Sequence, residues 1–280
     1  MASKRSTWRD LLERGAEKLS EGKYQEAVRW FEAAYAQAPH EPLVCYALGR
    51  ERMRQRRYDE SEVLLRRAWE DDRSLLSAGL SLVRLLGLHL GKDEEARQIL
   101  DAMREDAESA GDEELVALVE GELDLRRGER AEHAIEVFRS LMESGRAGVA
   151  ARDGLARAYN VKGIRLARSG RAHEALFVLK QATDLVEDWA PPMVNMGVVF
   201  QTMGKVRRAK KEYLRALVVE PDSPTALFNL GKLAMRQEEL NQASAYFRQL
   251  LERHPSYPGV RSVLAELTRR KRALLNKAPK

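Results

Sequence analysis

The sequence predicts an all-α solenoid of about seven helix-turn-helix repeats followed by a C-terminal capping helix. Three observations carry that prediction: a helix-forming composition, a small residue recurring about every 34 positions, and glycines at fixed offsets ahead of it.

Composition sets the frame. Of 280 residues, 44% are hydrophobic, 6% aromatic and 32% charged, the balance of a helical chain with a thin core. The length exceeds a usual compact domain, which leaves two domains or one elongated array. The single cysteine, Cys45, has no partner for an internal disulfide, so a reducing compartment fits and the cytoplasm is expected. The N-terminal stretch meets Asp10 and Glu13 before any apolar run of signal-peptide length, and no uncharged stretch is long enough to span a bilayer. Neither export nor membrane insertion is therefore expected. The excess of arginine over lysine points, by association, to a bacterial source.

The small residues are Ala27, Ser61, Ala96, Ala134, Ala175, Ala209 and Ala243, at successive gaps of 34, 35, 38, 41, 34 and 34. One helical turn after each stands a bulky side chain: Phe31, Leu65, Leu100, Phe138, Leu179, Tyr213 and Phe247. The small residue lets paired helices approach, and the large one fills the groove beside it. Twelve positions ahead of the small residue lie Gly15, Gly49, Gly163, Gly197 and Gly231, each allowing close contact between helices. Gly22, Gly91, Gly170 and Gly204, five positions ahead, separate the first helix of a pair (A) from the second (B). Pro39, Pro221 and Pro255, twelve positions after it, stop helix B.

This small, large and proline punctuation resembles the tetratricopeptide repeat, a 34-residue helix-turn-helix unit, over roughly residues 8 to 257. Repeats 1, 6 and 7 carry it best, as in Gly197, Phe200, Gly204, Ala209, Tyr213, Ala216 and Pro221. Repeats 3 and 4 depart: Arg84 and Glu122 replace the A-helix glycine, and the proline is missing. A long charged side chain there must point outward, or the register must slip. The gaps of 38 and 41 place extra residues near Glu108–Glu113 and Glu143–Gly154, and apolar spacing from Val149 to Arg168 suggests that repeat 5 begins early.

The resemblance implies a right-handed superhelix. Its expected parts are repeats 1–3 over 8–110, irregular repeats 4–5 over 111–189 and repeats 6–7 over 190–257. A capping helix over 258–275, with a basic tail to 280, follows. Val260, Val263, Leu264 and Leu267 give that last helix its apolar stripe, as a terminal repeat with an uncovered face requires.

In proteins of this family the A helices line a concave groove that binds peptides. Asn195 and Asn229, each two residues before the A-helix glycine, offer both donor and acceptor to a peptide backbone. The alternative is that they are plain repeat consensus. Asn160 stands three residues before Gly163, one step off that ladder. Arg50 and Arg54, Lys232 and Arg236 hold equivalent i, i+4 places, with Arg157 and Arg168 between them in sequence. On a groove they would favour an acidic segment; otherwise they form a solvated basic face. The carboxylate clamp of some relatives is not reproduced, since Leu12, Ala16, Ala47, Ala78 and Leu82 occupy its places.

The net charge of +5 is unevenly spread. Residues 92–124 hold thirteen Asp/Glu against Lys92, Arg97 and Arg104, whereas 261–280 carry seven Lys/Arg against Glu266. The acidic stretch reads as a docking surface for a basic partner, a dock for the chain's own tail, or a solvated face. The tail, with Arg269 to Arg272 followed by Leu274 and Leu275, reads as a solubilising terminus or as a contact for anionic membrane or nucleic acid.

His40, His89, His133, His173 and His254 are scattered, and no metal-ligand spacing, phosphate loop, dinucleotide fingerprint or nucleophile elbow occurs. Cys45 reads as an interior residue, and Trp8, Trp30, Trp69 and Trp189 as packing residues, Trp189 partly exposed. The expected function is therefore non-enzymatic, with no cofactor: a scaffold or adaptor that holds a partner protein in a bacterial assembly.

Overall fold

A computed structural model describes residues 6–107, 109–126, 128, 130–145 and 148–277, with side chains as far as Ala273. Among these residues the chain is helical and forms no strand. The first three hairpins use α1 (Trp8–Ser20) with α2 (Tyr24–Gln37), α3 (Pro42–Arg54) with α4 (Tyr58–Asp71), and α5 (Leu76–Arg84) with α6 (Asp93–Glu105). Then follow α7 (Ala110–Leu125) with α8 (Ala131–Glu143), α9 (Gly148–Arg168) with α10 (Ala172–Leu185), α11 (Ala190–Thr202) with α12 (Val206–Val219), and α13 (Pro224–Arg236) with α14 (Leu240–Arg253). A last helix, α15 (Val260–Lys277), packs on α14.

Local chemistry sets the ends. Thr7 and Asp10 close a capping box on α1: the Thr7 amide donates to Asp10 at 2.7 Å, and the Asp10 amide to the Thr7 hydroxyl at 3.3 Å. Pro42, Pro192 and Pro224 sit in first turns, where a missing N–H costs nothing. Gly22, Gly91, Gly170 and Gly204 adopt φ of 74°, 75°, 80° and 72° between A and B helices. The same turn is made by Arg56 at φ 61° and Glu238 at φ 60°, where a Cβ meets the carbonyl. Arg56→Gly and Glu238→Gly should each raise stability by about 0.5 kcal/mol, the relief of strain exceeding the entropy cost of glycine. A lowered urea midpoint in either variant would contradict this.

The chain divides into two compact units, Met1–Ala151 and Arg152–Lys280, with the boundary inside α9. In the first unit one core runs from Ala27 and Phe31 through Leu65 and Trp69 to Val119 and Leu123. Repeats 3 and 4 show why they depart from the pattern. The 35-residue gap before Ala96 is absorbed by a π-helical turn, Leu85–Leu90, which holds one more residue per turn than an α-helix. Gly87 lies in that turn, and a Cβ on it would meet Leu123 at 2.1 Å. In repeat 4 the register slips by one: Gly121, not position 122, lies against Phe138, whose ring would be 2.5 Å from an added Cβ. Arg84 and Glu122 point outward, as their charge requires, and pair with each other at 2.9 Å.

In the second unit α9 is 21 residues long, the early start that the apolar spacing suggests. Every small residue of the repeat, in both units, is fully buried, and so are the bulky residues one turn later. At the chain's end, Val260 and Leu267 of α15 join Phe247 and Leu250 in one cluster, with Val263 and Leu264 partly buried. The apolar edge of the last hairpin is thus covered. The side chains of Leu274, Leu275 and Lys277, together with Lys280 and the insertion point at Glu108, lie outside the described residues.

Candidate partner-binding face

The A helices of the second unit are oriented by their glycines. An added Cβ would reach Leu179 at 2.6 Å from Gly163, Tyr213 at 2.4 Å from Gly197, and Phe247 at 2.6 Å from Gly231. Each glycine therefore marks the side of its helix pressed on helix B. An α-helix turns about 100° per residue, so the other candidates can be placed round the axis relative to that side. Asn195 and Asn229 stand about 160° away, Lys232 about 100°, and Arg168 and Arg236 about 140°. On α9, Arg157 lies about 120° and Asn160 about 60° round. The candidates thus occupy one flank of α9, α11 and α13, turned away from the B helices.

On this flank the Asn195 amide Nδ2 donates to Asn160 Oδ1 at 2.8 Å. The one-residue offset that separates Asn160 from the ladder in sequence is bridged by the two side chains. Asn160 is buried, while Asn195 and Asn229 are half-buried. Asn229 makes no side-chain hydrogen bond among the described residues. Arg157, Arg168, Lys232 and Arg236 are exposed and form no ion pair among the described residues. Lys232 lies 5.5 Å over the Phe228 ring, and Val198, at the equivalent place on α11, is 39% exposed.

Arg50 and Arg54 hold the same angular places relative to Gly49 on α3, but in the first unit. Arg50 donates to the Tyr46 hydroxyl at 3.2 Å and Arg54 lies 4.3 Å over the Tyr24 ring. Arg54 also meets the buried carboxylate of Glu51 at 3.3 Å, whose pKa burial pushes up. Arg54 is thus paired with a carboxylate, unlike Arg157, Arg168, Lys232 and Arg236, whereas Arg50 is held by Tyr46 alone.

Part of the acidic stretch forms an internal clamp, which the sequence does not reveal. Asp93 pairs with Arg126 at 2.6 Å, Glu95 with Arg66 at 2.6 Å, and Glu120 with Arg104 at 2.7 Å. The buried Asp124 receives Arg97 at 2.8 Å, His133 at 2.5 Å and Arg130 at 3.5 Å. In the tail, Arg269 and Arg270 turn back to Glu266 at 3.1 and 2.9 Å and hold its carboxyl below the usual range.

Cys45 is buried, its thiol 3.3 Å from the Pro39 carbonyl, and burial pushes its pKa up to about 11, which disfavours the thiolate. Among the described residues no His/Cys/Asp/Glu group could hold a metal ion, and no helix is long and apolar enough to cross a membrane.

Two models of the tetratricopeptide repeat match residues 18–86 and 194–273. Human tetratricopeptide repeat protein 6 is 33% identical over 63 residues, covering 22% of this chain and 12% of that protein. A crystal structure of a tetratricopeptide repeat protein from Parabacteroides merdae superposes with a TM-score of 0.63 at 17% identity, over 93% of this chain and 98% of the other. The human IFIT1 dimer with PPP-AAAA gives a TM-score of 0.62 at 16% identity, over 95% of this chain and 65% of that one. At such identities the solved structures show a shared all-α repeat fold.

Proposed function

We propose that this chain, which belongs to the tetratricopeptide-repeat family, is a non-catalytic scaffold that holds an acidic, extended or helical segment of a partner protein. The segment lies along the A-helix flank of the second unit, within a cytoplasmic bacterial assembly. What supports this most is the combination on one flank of joined asparagine amides, an uncommitted amide and four cations without carboxylate partners. Amides that both donate and accept grip a main chain whatever its sequence. The cations choose among chains by charge and steer the encounter. The contrast with the acidic stretch is instructive, because there Arg66, Arg97, Arg104 and Arg126 are all engaged by the protein's own carboxylates.

The test uses a fluorescein-labelled peptide of alternating glutamate and alanine with the full chain. Asn195→Ala combined with Asn229→Ala should weaken binding by about 1 kcal/mol or more, roughly fivefold. Unchanged affinity would remove the amides from the site. Deleting residues 268–280 should leave the peptide affinity intact. If it instead abolished binding, the protein would be acting through its basic tail, as an adaptor for anionic membrane or nucleic acid.

A further inference from the structure

We propose that the first unit carries a second docking site, of opposite charge preference. It is a trough between α2 and α4 that takes a partner segment in which apolar side chains are flanked by lysine or arginine. Two adjoining cavities, of about 450 and 480 Å³, share Asp59 and Val63 in their walls. The first opens between α2 and α4 over Tyr35, Leu48 and Leu64; the second continues along α4 past Glu62, Arg66 and Glu70. Val63, at the junction, is 61% exposed, an apolar side chain facing solvent where nothing in the hairpin requires it.

The charges around the trough identify the occupant. Two of its three cations are already held by carboxylates: the buried Arg52 holds Glu32 at 2.5 Å and Glu60 at 3.3 Å. Arg66 holds Glu62 at 2.9 Å and Glu95 at 2.6 Å, and Arg67 donates to the Pro39 carbonyl at 3.3 Å. Asp59, Glu70 and Asp71, by contrast, are exposed and form no ion pair among the described residues. An apolar floor bordered by uncompensated carboxylates complements a segment that places leucine-like side chains in the trough and cations against its rim. This site does not rest on the A-helix flank of the second unit and is tested apart from it.

The probe is a fluorescein-labelled peptide with two central leucines between blocks of three lysines, titrated into the full chain by anisotropy. Val63→Arg, a change at an exposed position, should weaken binding tenfold or more, and so should the combined Asp59→Asn, Glu70→Gln and Asp71→Asn. Serine in place of the two leucines should cost the probe at least tenfold. An excess of the glutamate–alanine peptide should not displace it. No measurable binding, or binding indifferent to Val63→Arg, would overturn the proposal. So would equal affinity of the serine probe, which would mean charge attraction alone. A shift to dimers on removing the probe, lost in Val63→Arg, would equally overturn it by giving the trough to a second copy of this chain.

Discussion

Phe247→Ala is expected to cost about 3–5 kcal/mol and to lower the urea midpoint accordingly. The ring is fully buried, lies across Gly231 of α13, and meets the Phe228 ring edge-on at 6.0 Å. It also belongs to the cluster that seats Val260 and Leu267 of α15, so the cavity would open where the last hairpin and its capping helix meet. The reverse change tests the same joint. Gly231→Ala would place a Cβ 2.6 Å from the Phe247 ring, and a rigid ring yields little, so a loss of about 1–3 kcal/mol follows. That loss outweighs the gain of up to about 1 kcal/mol that alanine brings to a helix interior. Repeats 2 and 5 pair their glycines with the smaller and more flexible Leu65 and Leu179, at 3.0 and 2.6 Å, and a leucine branch can turn aside where a ring cannot. Gly231→Ala together with Phe247→Leu should therefore cost less than the sum of the two single changes. Strict additivity would show that the glycine and the ring are not one joint.

Asp124→Ala is expected to cost about 3 kcal/mol. The carboxylate is buried and ties three helices: α6 through Arg97, its own α7, and α8 through His133. Its partners are partly exposed and can turn to water, which keeps the loss near the lower end for breaking a buried ion pair. Asp124→Asn, which keeps an acceptor but removes the charge, should lose less than the alanine variant. Equal stability of the wild type and Asp124→Ala in a urea titration would show that the cluster holds nothing together.

The repeat was legible because its signal is steric and strictly spaced. A small residue and a bulky one a turn later recur in every hairpin, a glycine twelve positions ahead recurs in five of the seven, and all seven small residues are buried. Where a charged residue replaced the glycine, the sequence could state the dilemma but not its outcome. Arg84 is paired by a residue 38 positions away, Glu122, and the extra residue is taken up by a π turn that no local pattern announces. The acidic stretch was legible as a run of charge but not as a clamp, because its cations come from other helices, Arg66 among them. On the A-helix flank, one-residue counting set Asn160 apart from Asn195, yet flexible side chains close that offset to 2.8 Å. The trough beside α4 left no trace at all, since a lone valine on a helix surface is ordinary. Only the placement of Leu48, Tyr35 and the free carboxylates around it gives Val63 a meaning.

The most direct measurement for the function is the affinity of the glutamate–alanine peptide for two charge-reversed variants of the full chain. Lys232→Glu with Arg236→Glu changes the flank of α13, while Arg207→Glu with Lys211→Glu changes exposed cations on the neighbouring α12 by the same amount. The first pair should weaken binding tenfold or more, and the second should leave it within about twofold. Equal losses from both pairs would mean that the peptide responds to overall charge and that the A-helix flank is not where a partner is held.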